Sequence, residues 1–276
     1  MCLLLKRLCV LGVVWGLCAL GAAGPVQAAD EIHESVLRVA LPGRSMAALV
    51  THLREHADWR RAILLMPGAP GIMQLRSVDD YTLKGNFLIR SRHHWLDPQT
   101  VVFSVDAPSD QWDGFSGAFR ASERYAEDIR GLVEGIRQQY GALSLVVVGT
   151  SEGSVSAYHA ARALPRQQTR VIFTNSLFLS SPRTAGLGTL DFGAYDRPML
   201  WVHHADDPCR YTPYAEAQRL ARLSGASLIT VRSRAAGSGP ACQARTQHGF
   251  IGAEQATVQA MRTWLDDGVA HDVTVP

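Results

Sequence analysis

From about residue 60 to the end of the chain, short apolar runs rich in β-branched residues alternate with stretches of helical period. The strand candidates are 62–66 (AILLM), 100–106 (TVVFSVD), 144–148 (SLVVV), 170–174 (RVIFT), 198–202 (PMLWV) and 226–231 (ASLITV). They lack the strict apolar/polar alternation of a half-exposed strand, as expected when helices cover both faces of a sheet. Between them, 122–139 sets Tyr125, Ile129, Leu132, Val133 and Ile136 at three- and four-residue spacings, which makes one apolar helix face. Further helices are predicted over 153–164, 213–223 and 253–265. Strand, helix, strand repeated in this way predicts an α/β protein with an open, mostly parallel sheet and helices on both faces. Residues 30–55 are expected to add one or two more strands, and the tail around His271 to fray.

The first thirty residues belong to a different kind of segment. Lys6 and Arg7 precede an apolar run from Leu8 to Ala23, then Gly24, Pro25 and the small-residue stretch Val26-Gln27-Ala28-Ala29. This is the layout of a secretory signal peptide, with cleavage predicted after Ala28 or, alternatively, Ala29. The run of about 16 residues falls short of the roughly 20 needed to span a bilayer, so no stable membrane anchor is expected. The remainder, 29–276, contains no linker or internal repeat and is read as one domain.

Export changes the charge and cysteine arithmetic. Without Lys6 and Arg7 the chain carries 25 basic and 25 acidic residues, so no basic surplus points to nucleic acid or an anionic membrane. Three of the five cysteines (Cys2, Cys9 and Cys18) leave with the signal; Cys209 and Cys242 remain. Two cysteines in a secreted or periplasmic protein point to one disulfide, the alternative being two separate buried thiols.

Gly149-Thr150-Ser151-Glu152-Gly153 fits G-x-S-x-G. In a chain with 24 glycines such a match is common by chance, and its context decides. The pentapeptide follows a predicted strand and opens a predicted helix, where a sharp turn lifts a serine hydroxyl clear of the sheet. A serine needs a base to take its proton. Of the ten histidines, His248 follows the last predicted strand, sits in a loop and precedes the final helix. His159 lies inside a helix, where most histidines are solvated or packed. The base needs a carboxylate to hold its tautomer. Asp207, or alternatively Asp206, follows the strand at 198–202 and completes the chain order Ser, Asp, His. Two backbone N–H donors must face a tetrahedral oxyanion. One is expected from Glu152, and the other from Ala69 in Pro67-Gly68-Ala69-Pro70-Gly71, because Pro70 has no N–H.

With these residues the chain resembles the α/β-hydrolase superfamily over nearly all of 29–276. Pro67–Gly71 looks like the HGGPG-type oxyanion loop of that family, with Pro67 in place of the usual histidine, and His248-Gly249 looks like its base loop. More narrowly, Asp106-Ala107-Pro108-Ser109-Asp110, His203-His204 and His248-Gly249-Phe250 are similar to secreted bacterial hydrolases. The resemblance implies an α/β-hydrolase fold and a serine hydrolase that cleaves a small-molecule carboxylic ester through an acyl-enzyme, with no cofactor. Peptidase, amidase or thioesterase activity with the same triad is the nearest alternative. A non-catalytic binding protein and a metal site built on His203, His204 and Asp206 are more distant ones. Adjacent histidines on a strand point to opposite faces, which argues against a shared metal. Only about 19 residues, 179–197, stand where relatives often carry a helical lid, so a minimal lid is expected. A Cys209–Cys242 bond would tie the acid loop to the base loop.

Overall fold

The computed structural model describes residues 31–53, 58–113 and 116–276; the predicted signal peptide lies outside them. Nine strands form one sheet in the order β1-β2-β4-β3-β5-β6-β7-β8-β9. β1 (Ile32–Leu41) and β2 (Arg44–Leu53) pair as an antiparallel hairpin, and β2 runs antiparallel to β4 (Thr100–Val105). Every other pairing is parallel, through β3 (Arg61–Met66), β5 (Ser144–Ser151), β6 (Thr169–Ser176), β7 (Met199–His204), β8 (Ser227–Ser233) and β9 (Val273–Val275).

Side chains one residue apart on a strand enter opposite layers. In β3, Ala62, Leu64 and Met66 join the core beneath α3 (Glu123–Tyr140), α4 (Glu152–Ala163) and α5 (Tyr214–Ser224). Ile63 and Leu65 join the core beneath α1 (Phe87–Arg90) and α6 (Glu254–Asp267). Both faces of the sheet are therefore covered, which is why its strands read as unbroken apolar runs. α3 buries the apolar stripe that its spacing predicts and starts one residue later than expected, because Ser122 is its N-cap and accepts the Tyr125 N–H at 3.2 Å. α2 (Gly117–Arg120) is a single turn.

Two expectations need correction. The tail is not frayed: Val273–Val275 pairs in parallel with β8, and Asp272 Oδ1 accepts the Thr230 N–H at 2.8 Å. A three-residue strand shows no period to read, and only the open edge of β8 gives it a partner. β6 runs to Ser176, two residues beyond the apolar stretch, because Asn175 and Ser176 are buried polar residues.

The connection from β6 to β7 contains one 3-10 turn, Leu187–Thr189, among the described residues. Phe192 and Tyr195 fold back onto Tyr158 and Phe173, so this segment adds to the core. Among the described residues no helix is long and apolar enough to cross a membrane.

Candidate active site

Strand order reverses between β3 and β5, and the carboxyl ends of strands at such a point frame a crevice. The loop after β3 carries Pro67–Gly71; the turn after β5 carries Ser151. Ser151 adopts φ +54° and ψ −128° between β5 and α4. A side chain with positive φ costs about 1–2 kcal/mol, so the surroundings must hold it. The Ser151 carbonyl accepts from Ser154 Oγ at 2.6 Å and from the Leu177 N–H at 3.3 Å, and Ser154 Oγ itself accepts the Leu177 N–H at 3.1 Å. The glycines of the pentapeptide follow from crowding. A Cβ at Gly149 would lie 2.3 Å from the Gly153 carbonyl oxygen, and one at Gly153 would lie 2.2 Å from that of Met66. The start of α4 thus presses directly on the end of β3.

The structure brings Asp207 and His248 together: Asp207 Oδ2 lies 2.9 Å and Oδ1 3.2 Å from His248 Nδ1. The Asp207 carboxylate is shielded from solvent and also accepts from Thr212 Oγ1 at 2.7 Å and from the Cys209 N–H at 2.9 Å. Three donors fix its orientation, and an Nδ1–H toward Asp207 leaves Nε2 as the acceptor. Asp206 is exposed; its backbone N–H donates to His204 Nδ1 at 3.1 Å.

Ser151 and His248 face one cavity of about 870 Å³, with Ala69, Asn86, Arg183 and Arg245 also in its wall. Ser151 Oγ makes no hydrogen bond among the described residues. A second cavity of about 350 Å³ opens from Ser151 between Glu152, Leu177 and Tyr211. Ala69 lines both, and a Cβ at its neighbour Gly68 would sit 3.1 Å from Ser151 Cβ, so this loop lies against the serine. The Glu152 N–H opens α4, where unpaired donors and the helix dipole favour negative charge.

The Glu152 carboxylate is held by side chains from two other segments. It is buried, with Oε1 accepting from Ser181 Oγ at 3.1 Å and Arg183 Nε at 3.3 Å, and Oε2 lying 3.6 Å from the buried Arg120 guanidinium. Burial pushes Arg120 below the usual arginine range despite this neighbour.

Cys209 and Cys242 are joined by a disulfide, with Cα atoms 4.5 Å apart, and link the two loops that carry Asp207 and His248. His203 and His204 point to different partners. His203 is buried, stacks on Phe178 and is held down to about 4 by burial; its Nδ1 lies 3.0 Å from the His204 carbonyl. His204 Nε2 lies 3.1 Å from Ser233 Oγ. His159 is also lowered by burial, to about 4, within α4. Among the described residues no group of three or more His, Cys, Asp or Glu is arranged to hold a metal.

Several residues of the site were not legible in the sequence. Asn175, fully buried at φ +34°, donates from Nδ2 to the carbonyls of Gln247 (2.9 Å) and His248 (2.8 Å) and accepts the His204 N–H on Oδ1 at 2.8 Å. It joins the loop that carries His248 to the end of β7. Asp106 accepts the N–H groups of Met73 at 2.6 Å and Leu75 at 2.8 Å and so anchors the chain beyond the Pro67–Gly71 loop. Thr212 gives no signal in the sequence, and the only hint of Asn175 is an asparagine directly after the apolar run 170–174.

No protein-family model matches the sequence, and no curated protein matches it significantly. Solved structures do match. A lidless α/β serine hydrolase from Xanthomonas campestris superposes with a TM-score of 0.57 at 15% identity, over 84% of this chain and 95% of its own. Dienelactone hydrolase from Anabaena variabilis gives 0.57 at 13% identity, over 85% and 97%. Est1E from Butyrivibrio proteoclasticus gives 0.56 at 12%, over 84% and 100%. With its mostly parallel nine-stranded sheet, its strand order and these matches, the chain has the α/β-hydrolase fold.

Proposed function

We propose that this protein is an exported serine hydrolase that cleaves carboxylic esters through an acyl-enzyme. The observation that carries the reading is the positive-φ Ser151 at the β5–α4 turn, sharing a cavity with His248 while Asp207 engages His248 Nδ1. Ser151 Oγ attacks the ester carbonyl as His248 Nε2 takes its proton. The Ala69 and Glu152 N–H groups stabilise the oxyanion, and His248 then protonates the leaving alkoxide. Water, activated by the same histidine, hydrolyses the acyl-enzyme. Asp207 orients the imidazole and stabilises its charged form. The matched structures that are named as serine hydrolases or esterases support a hydrolase on this fold. The disulfide agrees with an oxidising compartment.

The test is covalent labelling by a fluorophosphonate probe, with mapping of the modified peptide. Stoichiometric labelling at Ser151, lost in Ser151→Ala, is the expected result. Folded wild-type protein that resists the probe and turns over no activated ester would overturn the proposal.

A further inference from the structure

Resting on the hydrolase reading above, we propose that the preferred substrate is an ester bearing a carboxylate, held beside Ser151 by Arg183 and Arg245. Both arginines line the larger cavity, and Arg183 also lines the smaller one, so it stands where the two meet at the serine. Among the described residues, none that lines the larger cavity is acidic. In the smaller one the only carboxylate among the described residues is Glu152. Asp207 lies behind His248, sealed from solvent and satisfied by its own donors. The positive field is local, because outside the predicted signal peptide the chain balances 25 basic against 25 acidic residues.

Arg183 is held at the cavity wall by its side chain, and Arg245 by the loop that carries it. Glu152 grips Arg183 at Nε, which leaves the outer edge of the guanidinium to the cavity. The charge of Arg183 is not needed to neutralise Glu152, since the buried Arg120 already faces that carboxylate. Ser181 Oγ accepts the Arg183 and Thr184 N–H groups, both at 3.2 Å, and fixes the turn that presents the arginine. Arg245 stands in a loop closed by the Cys209–Cys242 bond. There the Ser238 N–H donates to the Arg245 carbonyl at 2.7 Å, and Thr246 Oγ1 donates to the carbonyls of Ala241 and Gln243. Its guanidinium has no hydrogen-bond or ion-pair partner among the described residues. Two guanidinium groups in one cavity wall, Arg183 engaged by Glu152 and Arg245 with its donors open, suit a planar carboxylate.

The test compares kcat/KM within two matched pairs. Mono-4-nitrophenyl glutarate against 4-nitrophenyl pentanoate places the charge on the acyl side; 4-acetoxybenzoate against methyl 4-acetoxybenzoate places it on the leaving-group side. In at least one pair the anion should be preferred by about tenfold, the size expected of a partly exposed charge-assisted contact, and the preference should shrink with added salt. Arg245→Gln and Arg183→Gln should each lower the anion-to-neutral ratio by about threefold, since together they supply the tenfold preference. Arg245→Gln is the cleaner variant because it breaks no internal pair; for Arg183→Gln the melting temperature is followed in parallel. Neutral esters used as well as the anions in both pairs, or a ratio unmoved by both variants, would overturn the inference. Should no ester turn over, calorimetric titration of Ser151→Ala with 4-acetoxybenzoate decides it separately from the hydrolase reading. Saturable binding weakened by Arg245→Gln sustains the anion site, and no binding ends it.

Discussion

Replacing Asn175 tests whether one buried amide holds the acid and base loops together. Its side chain makes three hydrogen bonds, two to the base loop and one to the end of β7. At about 1 kcal/mol net for each, Asn175→Ala loses about 3 kcal/mol. Alanine also tolerates the positive φ less well than asparagine, which adds about 1 kcal/mol. Urea denaturation should therefore show a loss of about 4 kcal/mol. Catalysis gives a second readout that a purely structural residue would not move. With the base loop released, a displacement of about 1 Å can cost on the order of a hundredfold in rate. Assayed on 4-nitrophenyl acetate well below the melting temperature, kcat should fall by about that factor while KM changes little. Asn175→Asp keeps the acceptor for the His204 N–H, loses one of the two donors when protonated and loses both when ionised. Its buried carboxyl favours the neutral form, so this variant should grow less stable relative to wild type as pH rises from 4 to 7. An Asn175→Ala protein within 1 kcal/mol of wild type, or one with kcat reduced less than twofold, would refute the assignment.

Asp207→Asn should lower kcat on the order of 10⁴-fold while Asp206→Asn stays within a few fold; comparable losses would mean that the acid is misassigned. Cys209→Ser/Cys242→Ser opens a loop with a sequence separation of 33, which the chain-entropy model values at about 3.5–4 kcal/mol, and turnover should fall as well as the unfolding midpoint. Gly153→Ala forces a methyl group against the Met66 and Pro67 carbonyls and should leave little folded, active protein; normal activity would contradict the close approach of α4 to β3. Although partial burial raises it, Glu34 is brought down to about 2 by hydrogen bonds from His93 and Arg92, the Arg92 charge and Thr51. Because its folded value lies below its unfolded one, its contribution is present above about pH 5 and lost as pH falls toward 2. Allowing for solvent screening, about 1–2 kcal/mol of acid sensitivity should disappear in Glu34→Gln, read from unfolding midpoints at pH 3 and pH 6.

The amino-acid sequence alone determines the parallel sheet, its helices and the elbow at Ser151, because these arise from short-range patterns. β3 to β8 are buried apolar runs, helix-period segments follow β4, β5, β7 and β8, and the crowded turn at Ser151 leaves glycine as the residue that fits on either side. The pairing of His248 with Asp207 was legible only through chain order and the fold resemblance, since 41 residues separate them. Tertiary structure alone decides the rest. Asn175 and Ser154 act through hydrogen bonds to backbone groups distant in sequence, Thr212 acts through the Asp207 carboxylate, and no local period marks such a residue. The direction of the Glu152 carboxylate depends on Arg120 and Arg183, contributed by α2 and by the segment after β6, and turns a charge beside the serine into an anchor. β9 exists only because β8 leaves an edge for it. Periodicity records which face of an element is buried; which polar groups meet across the crevice depends on how the chain returns to it, and that is settled when the whole sheet is assembled.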